Sequence, residues 1–351
     1  ELVSGIVHDH AGGAQARAKL KFYDATVLGT PRQAATNDRT DLLGAFGILV
    51  PAGTYDVDIE PPLGSGELVT HLSAVVVAGA IDLGTITLVQ GIAASGHIQG
   101  PGAVPVLNVN INLVESVTRA KVHLSHDDTD SLGNFTVIIP PGTYDFQYDP
   151  PACSGFAPAS QANQSIVATT TMPTVNLVTG VHILGNVTDS GLAPVANVDL
   201  DVYPAGSTTK VFTPRDQTAL DGTYDVLIAP GTYDIKYIPS SLVPRLRPAL
   251  RSSQAIPVNT TLPNVVLANG LLASGLVKDI GTLALLASVT VDFYPPGGGA
   301  PLLVSHHTTS VTGAYSVSVD AGTWDLLYTP PVGSPYLPTW RRAVTVSTDV
   351  A

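Results

Sequence analysis

Apolar and polar residues alternate with a period of two in three stretches that recur four times along the chain. Such alternation is typical of a β-strand with one buried and one solvated face. The predicted inward residues of the second strand are Ala18/Leu20/Phe22, Val109/Ile111/Leu113, Val198/Leu200/Val202 and Val289/Val291/Phe293. Those of the fourth are Phe46/Ile48/Val50, Phe135/Val137/Ile139, Tyr224/Val226/Ile228 and Tyr315/Val317/Val319. Those of the fifth are Tyr55/Val57/Ile59, Tyr144/Phe146/Tyr148, Tyr233/Ile235/Tyr237 and Trp324/Leu326/Tyr328. No stretch has the 3.6-residue period of an amphipathic helix, so an all-β fold is predicted.

A Gly-Thr-aromatic-Asp motif sets the period of this repetition. It begins at Gly53, Gly142, Gly231 and Gly322, at intervals of 89, 89 and 91 residues. A Gly-x-aromatic step precedes each motif, at Gly44, Gly133, Gly222 and Gly313, and a strand-opening glycine recurs at Gly5, Gly96, Gly185 and Gly275. Self-similarity at a fixed period indicates an array of one structural unit. We therefore predict four tandem, seven-stranded, antiparallel β-sandwiches in an elongated array, named repeat 1 (1–90), repeat 2 (91–179), repeat 3 (180–269) and repeat 4 (270–351).

The motif glycine is predicted to be a structural turn residue. Proline or alanine precedes it, as in Pro230-Gly231, and we expect a hairpin in which glycine supplies a positive φ. This assigns the turn to Gly53, Gly142, Gly231 and Gly322. The aspartate that ends each motif alternates with buried aromatic residues. We expect it to face away from the core and to hydrogen-bond to a neighbouring loop or strand.

These landmarks resemble a known family. The order Gly-x-Val-x-Asp, a strand, Gly-x-aromatic and then Pro-Gly-Thr-Tyr-Asp is similar to carboxypeptidase regulatory-like domains, which have a transthyretin-like or Ig-like β-sandwich fold. The resemblance covers essentially the whole chain in four copies. It implies a module found in bacterial and archaeal surface proteins, and it implies no enzymatic activity. The lysines at 19, 121, 210 and 278 are out of phase between repeats, so the isopeptide crosslinks of related adhesin domains are not carried over.

The joins between repeats and the end of repeat 4 bear on assembly. Only Gln90–Ser95 separate the last strand of repeat 1 from Gly96, and no flexible tether composition intervenes. Repeat 4 has no counterpart of residues 264–268, the closing strand of repeat 3. Two interpretations stay open: the chain is part of a longer array or has lost residues, or a neighbouring subunit supplies the strand by β-augmentation and builds a head-to-tail homopolymer. The second makes Glu1, Leu2, Val3, Val344 and Val346 candidate subunit contacts.

Composition excludes several classes of function. A net charge of −12 argues against binding to nucleic acid. The sequence contains no run of 18 apolar residues, so no membrane span is predicted. The single cysteine, Cys153, allows no intrachain disulfide. Because the chain begins at Glu1 rather than at methionine, we expect a mature or excised product.

Few residue patterns suggest chemistry. His8 and His10, His306-His307, and His123/His126 beside Asp127-Asp128 are fragments of metal sites, but none has a third ligand at useful spacing. The outward pair Asp199 and Asp201 is interpreted as a solvated polar face rather than a calcium site. No nucleophile elbow, paired-carboxylate site or phosphate-binding loop is present. We expect no metal, no cofactor and no catalytic residue, and hence no enzyme.

Surface features complete the prediction. Sequons for N-linked glycans lie at Asn134, Asn163, Asn186 and Asn259. The sequence therefore favours a non-enzymatic extracellular protein of the cell surface, with covalent glycans, that serves as a subunit of a filament or stalk. One alternative is an adhesin or carbohydrate-binding array, for which Tyr336 and Trp340 are the candidate aromatic residues. Another is an accessory region of a larger secreted hydrolase.

Overall fold

The computed structural model describes residues 1–26, 32–33, 35–241, 243 and 245–350, so Ala351, which ends the predicted repeat 4, lies outside the described residues. The described residues form 26 β-strands and two short 3-10 helices, Pro101–Ala103 and Ala152–Ser154, and none of them is α-helical. The all-β fold class is confirmed. The chain divides into two compact units, Glu1–Thr179 and Gly180–Ala351. Each unit contains two buried clusters, and the boundaries of four repeats stay a prediction.

The first unit contains four main sheets. The strands of repeat 1 are β1 (Leu2–His8), β2 (Lys19–Asp24), β3 (Ala45–Leu49), β4 (Gly53–Glu60), β5 (Thr70–Val77) and β6 (Ile81–Thr87). They form the sheets β3-β1-β6 and β2-β4-β5. The strands of repeat 2 are β7 (Ile92–Gly100), β8 (Val104–Pro105), β9 (Asn110–Glu115), β10 (Asn134–Ile139), β11 (Gly142–Asp149), β12 (Ala159–Ile166), β13 (Thr170–Thr171) and β14 (Val175–Asn176). They form β10-β7-β13, with β8 and β14 also on β7, and β12-β11-β9.

The second unit repeats this arrangement. The strands of repeat 3 are β15 (Val181–Asp189), β16 (Asp199–Pro204), β17 (Thr223–Ile228), β18 (Gly231–Ile238), β19 (Ala249–Ile256), β20 (Thr260–Thr261) and β21 (Val265–Leu267). They form β17-β15-β20, with β21 also on β15, and β16-β18-β19. The strands of repeat 4 are β22 (Leu271–Leu276), β23 (Thr290–Tyr294), β24 (Ala314–Val319), β25 (Gly322–Thr329) and β26 (Thr339–Val346). They form β22-β24 and β23-β25-β26.

The predicted inward faces are the cores. Every residue that the alternation assigns inward in repeats 1 to 3 is buried, and the four clusters are built from them. In repeat 4 the same holds except at Trp324 and Tyr328, which are only half-buried. The burial of alternate positions follows from the period of the strand, because successive side chains point to opposite faces of a sheet.

One predicted pairing is wrong. The sandwiches are not wholly antiparallel, because the opening strand pairs in parallel with the closing strand. Val7 lies opposite Ile86 in repeat 1, Ile98 opposite Val175 in repeat 2 and Val187 opposite Val265 in repeat 3. A parallel edge pair requires a long crossover between its strands, and the intervening strands of each repeat supply it.

The predicted hairpin before the Gly-Thr-aromatic-Asp motif is also wrong. Strand β17 pairs with β15, whereas β18 pairs with β16 and β19, so the chain crosses between the two sheets at Gly231. The four motif glycines, Gly53, Gly142, Gly231 and Gly322, do not have a positive φ. A Cβ at Gly231 would lie 2.8 Å from the Tyr233 hydroxyl, so glycine makes room there for the ring two residues later. That hydroxyl donates to the Ala229 carbonyl at 2.7 Å.

The glycine with a positive φ is instead the one in the upstream Gly-x-aromatic step. Its φ is +74° at Gly44, +75° at Gly133, +78° at Gly222 and +69° at Gly313. A Cβ at Gly222 would lie 2.5 Å from the Val187 carbonyl oxygen. The positive φ belongs to the turn that leads into the strand paired with the opening strand.

The motif aspartate holds a β-bulge in the neighbouring strand. Register shifts interrupt the pairing after Tyr55, Tyr144, Tyr233 and Trp324. In each case the bulged residue has a positive φ, and its N–H donates to the motif aspartate: Ala74 to Asp56, Asn163 to Asp145, Ser253 to Asp234 and Ala343 to Asp325. The expectation that this aspartate bonds to a neighbouring strand agrees with these contacts. Bonds from the N–H groups of Gly206 and Ser253 lower the pKa of Asp234.

Candidate strand-acceptor site and inter-repeat junctions

Repeat 4 has an open sheet edge where repeats 1 to 3 have a parallel closing strand. In repeat 3, β21 pairs with β15 from Val187 to Asp189. In repeat 4 a parallel strand begins, because Ala273 pairs with Val350 and the Ser274 N–H donates to the Val350 carbonyl at 2.8 Å. Within the described residues, no parallel strand continues this pairing along Val277, Lys278 and Asp279. We call this edge, with the groove beside it, the acceptor edge.

An apolar groove of about 740 Å³ follows the acceptor edge. Its lining includes Val277, Leu286, Val289 and Tyr328. The corresponding residues of repeat 3, Val187 and Tyr237, are fully buried in one cluster with Leu267 of the closing strand. Leu88 and Leu177 occupy the same role in the cores of repeats 1 and 2. The groove is therefore the space that an apolar side chain of a closing strand fills in the other three cores.

The candidate subunit contacts are of two kinds. Val3 and Val346 are fully buried in the cores of their own repeats, so their side chains are not exposed to a second subunit. The period of two places both on the inner face of a strand. The amino group of Glu1 donates to the Val50 carbonyl at 2.6 Å, Leu2 is exposed and Val344 is half-buried. These three stay predicted contacts.

The two candidate aromatic residues of an adhesin site have different surroundings. Tyr336 lines the groove of the acceptor edge. Trp340 carries the Arg342 guanidinium over its ring at 3.8 Å and contacts the Tyr294 ring at 5.2 Å between centroids. Because the guanidinium covers one face of the indole, that face is not free to stack on a sugar.

Three of the histidines singled out in the sequence, His10, His126 and His306, contact polar groups of the protein. His10 lies 3.2 Å from Glu67, and its backbone N–H donates to the same carboxylate at 2.8 Å. Glu67 is almost fully buried, and its Oε2 has no partner within the described residues. Nε2 of His126 lies 3.3 Å from the Pro61 carbonyl oxygen, and in the second unit Nε2 of His306 lies 2.8 Å from that of Pro239. Both contacts join one repeat to the next.

A lysine occupies the acidic face of repeat 3. Lys210 Nζ lies 2.5 Å from Asp201, 3.3 Å from Asp216 and 4.0 Å from Asp199. Burial, opposed by the charge of Lys210 and reinforced by the charges of Asp216 and Asp201, raises the pKa of Asp199 to about 6. The ammonium group thus takes the position that a bound cation would need, and the interpretation of this face as a solvated polar face stays a prediction.

All four sequon asparagines are exposed. Asn134 begins β10, Asn163 lies in the bulge of β12, Asn186 lies near the end of β15, and Asn259 immediately precedes β20. Each position is accessible to a modifying enzyme, and the glycans themselves stay a prediction.

No helix within the described residues is both long enough and apolar enough to cross a membrane.

Comparisons with known proteins give structural matches only. No family model matches the chain, and no curated protein sequence matches it. Among solved structures, the chain is similar to the Bacillus anthracis TIE protein, with 10% identity, a TM-score of 0.22, and coverage of 95% of this chain and 67% of that one. It is also similar to a Streptococcal ancillary pilin, with 12% identity, a TM-score of 0.22 and coverage of 77% and 99%. A third match is the shaft pilin SpaA from Lactobacillus rhamnosus GG, with 10% identity, a TM-score of 0.24 and coverage of 54% and 100%. At these TM-scores the matches carry no argument about function, and the resemblance to carboxypeptidase regulatory-like domains stays a prediction.

Proposed function

We propose that this chain is a non-enzymatic structural protein of the cell surface, built as a tandem array of sandwiches, and that it forms part of a filament or stalk. The observation that carries the proposal is the repeated construction of the four cores. The same inward positions, the same aspartate-held bulge and the same aromatic–glycine contacts recur at a period of about 90 residues. A chain that repeats one structural unit becomes longer by adding copies, as solenoid and stalk proteins do.

The acceptor edge gives this proposal a route to assembly. An unpaired edge beside an open apolar groove is a template for β-augmentation, in which an added strand gains main-chain hydrogen bonds and places alternate side chains in a pocket. We propose that the edge along Val277–Asp279 receives an extended segment in parallel register, with two apolar residues spaced as Val265 and Leu267 are in repeat 3. Supplied by a second subunit, that segment would join copies head to tail.

A peptide-binding experiment tests the acceptor edge. A peptide with the sequence of residues 262–268 is added to the full chain, with a matched control peptide in which the residues corresponding to Val265 and Leu267 are aspartate. We expect the first peptide alone to slow hydrogen exchange at Val277–Asp279 and to raise the melting temperature of repeat 4. Equal effects of the two peptides, or protection elsewhere, would refute the acceptor edge.

Negative-stain microscopy and sedimentation test the larger proposal. A filament subunit is expected to form long fibres, or rods when the acceptor edge is blocked by the peptide. Globular particles under both conditions would exclude the structural role. The predicted glycans at Asn134, Asn163, Asn186 and Asn259 are compatible with a surface fibre, and intact-mass measurement of the native protein detects them.

A further inference from the structure

Three side chains from two repeats converge at the junction between repeats 1 and 2. Asp58 on β4 and His71 on β5 lie opposite each other in the antiparallel register. His123, from the segment that follows β9 in repeat 2, lies beside them. Nδ1 of His71 is 2.7 Å from Asp58 Oδ1, and Nδ1 of His123 is 3.1 Å from the same oxygen. The two imidazole rings are stacked, with centroids 4.0 Å apart and an interplanar angle of 21°.

The geometry of this cluster matches the ligand set of a transition-metal site. Two imidazole nitrogens and one carboxylate oxygen lie within 4.8 Å of one another. Tetrahedral ligands at bond lengths of about 2.0–2.2 Å are separated by about 3.4 Å, so small side-chain rotations would place these three atoms around one ion. The mixture of nitrogen and oxygen donors favours Zn²⁺ and its neighbours over Ca²⁺ or Mg²⁺, which prefer oxygen ligands alone.

The surroundings leave the carboxylate and one coordination position open to a cation. Lys21 lies opposite Asp58 on β2, but its ammonium group is 2.5 Å from Glu60. The side chains of Asp58, His71 and His123 retain 14%, 27% and 34% of their exposure. Water can therefore reach the cluster and serve as the fourth ligand.

The junction holds the two halves of the cluster together without a metal. Besides the contact of His126 with the Pro61 carbonyl, the Gly91 N–H of repeat 2 donates to the Gly66 carbonyl of repeat 1 at 3.0 Å. An ion bound here would add a crosslink between repeat 1 and repeat 2 to this preformed contact.

The second unit provides an internal comparison. It keeps the histidine–carbonyl contact, at His306 and Pro239, but Lys236 stands at the position that corresponds to Asp58, and Leu250 stands opposite it where repeat 1 has His71. A lysine and a leucine cannot form this ligand set. We propose that Asp58, His71 and His123 bind one divalent transition-metal ion, with Zn²⁺ as the leading candidate, and that the ion ties repeat 1 to repeat 2.

Titration calorimetry of the full chain with Zn²⁺, and separately with Ca²⁺, tests the site. We expect one high-affinity Zn²⁺ per chain and no comparable binding of Ca²⁺. The variants His71→Asn and His123→Asn are expected to weaken Zn²⁺ binding at least about tenfold, because each removes one of three protein ligands. The matched control His182→Asn changes a histidine that pairs with Asp225 alone, and it is expected to leave the affinity unchanged.

Hydrogen exchange supplies a second measurement, independent of affinity. Zn²⁺ is expected to slow exchange in the segments around His71 and His123 of the parent protein and of His182→Asn, and to have no such effect in His71→Asn. Absence of stoichiometric Zn²⁺ binding would overturn the proposal. So would binding that His71→Asn and His123→Asn leave intact, since the ion would then bind to surface histidines elsewhere.

Discussion

The φ of Gly222 makes a specific prediction about repeat 3. Alanine at this position must adopt a φ of +78°, which costs an L-residue about 1–2 kcal/mol. Its Cβ would also lie 2.5 Å from the Val187 carbonyl oxygen, and that oxygen accepts a hydrogen bond from the Val195 N–H at 3.0 Å. Moving the carbonyl to relieve the overlap weakens this bond, at a further cost of about 1–2 kcal/mol. We therefore expect Gly222→Ala to destabilise repeat 3 by about 2–4 kcal/mol.

Gly206 supplies a matched control in the same repeat. Its φ is +75°, but no atom lies within 4 Å of a Cβ built on it. Gly206→Ala should carry the backbone cost alone, about 1–2 kcal/mol. The difference between the two variants isolates the overlap with the Val187 carbonyl.

Hydrogen exchange of β17 measures the difference locally. A difference of about 1–2 kcal/mol between the variants corresponds to roughly 5- to 30-fold faster exchange in Gly222→Ala than in Gly206→Ala. Urea denaturation of the full chain provides the corresponding free energy of unfolding. Equal effects of the two substitutions would refute the claim that the close approach of Val187, rather than φ alone, requires glycine here.

Three further predictions concern polar groups of repeats 2 and 3. Asp199 has a raised pKa of about 6, so repeat 3 should lose stability as pH rises from about 4 to 6. In pH-dependent urea melts, Asp199→Asn should abolish this loss. At pH 7 the variant should be more stable by about 1 kcal/mol, a figure reduced because the Asp199 side chain is 40% exposed. Thr129→Val should cost about 3 kcal/mol in thermal unfolding, because the buried hydroxyl accepts from the Val109 N–H and donates to the Val106 carbonyl, whereas Thr129→Ser should cost far less. Burial raises the pKa of Asp145, but the hydrogen bonds from Asn163, Ser116 and Arg119 outweigh burial and lower that pKa. The stability that these bonds contribute should be present at neutral pH and lost as pH falls below about 4. In the same urea melts, Asp145→Asn should cost about 1 kcal/mol at pH 7 and nothing in acid.

The sequence was informative wherever the deciding interaction is local. Alternation with a period of two identified the inward residues of the second, fourth and fifth strands, and the structure buries them as predicted in repeats 1 to 3. Tyr328 of repeat 4 is only half-buried because its ring lines the open groove of the acceptor edge. Local pattern also placed the motif aspartate outward, because its position relative to the neighbouring aromatic residue decides its face.

The candidate sites depended on contacts that no local pattern specifies. His71 and Asp58 are 13 residues apart in the sequence and lie side by side because their strands are paired in register. His123 lies beside them although it belongs to another repeat. Glu67 belongs to no sequence motif, yet its carboxylate accepts a hydrogen bond from the backbone N–H of His10. Close to His123 in the sequence lie His126, Asp127 and Asp128, and none of these three belongs to the cluster with Asp58 and His71.

The all-β class, the inward face of each main strand and the period of the repetition can be read from the amino-acid sequence, because strand alternation and self-similarity are properties of residues along the chain. Three features needed the folded chain: the parallel pairing of the opening and closing strands, the positive φ at Gly222 rather than at Gly231, and the proximity of Asp58, His71 and His123. Each of these depends on which strand pairs with which, and that choice is made by long-range packing of the two sheets rather than by local periodicity.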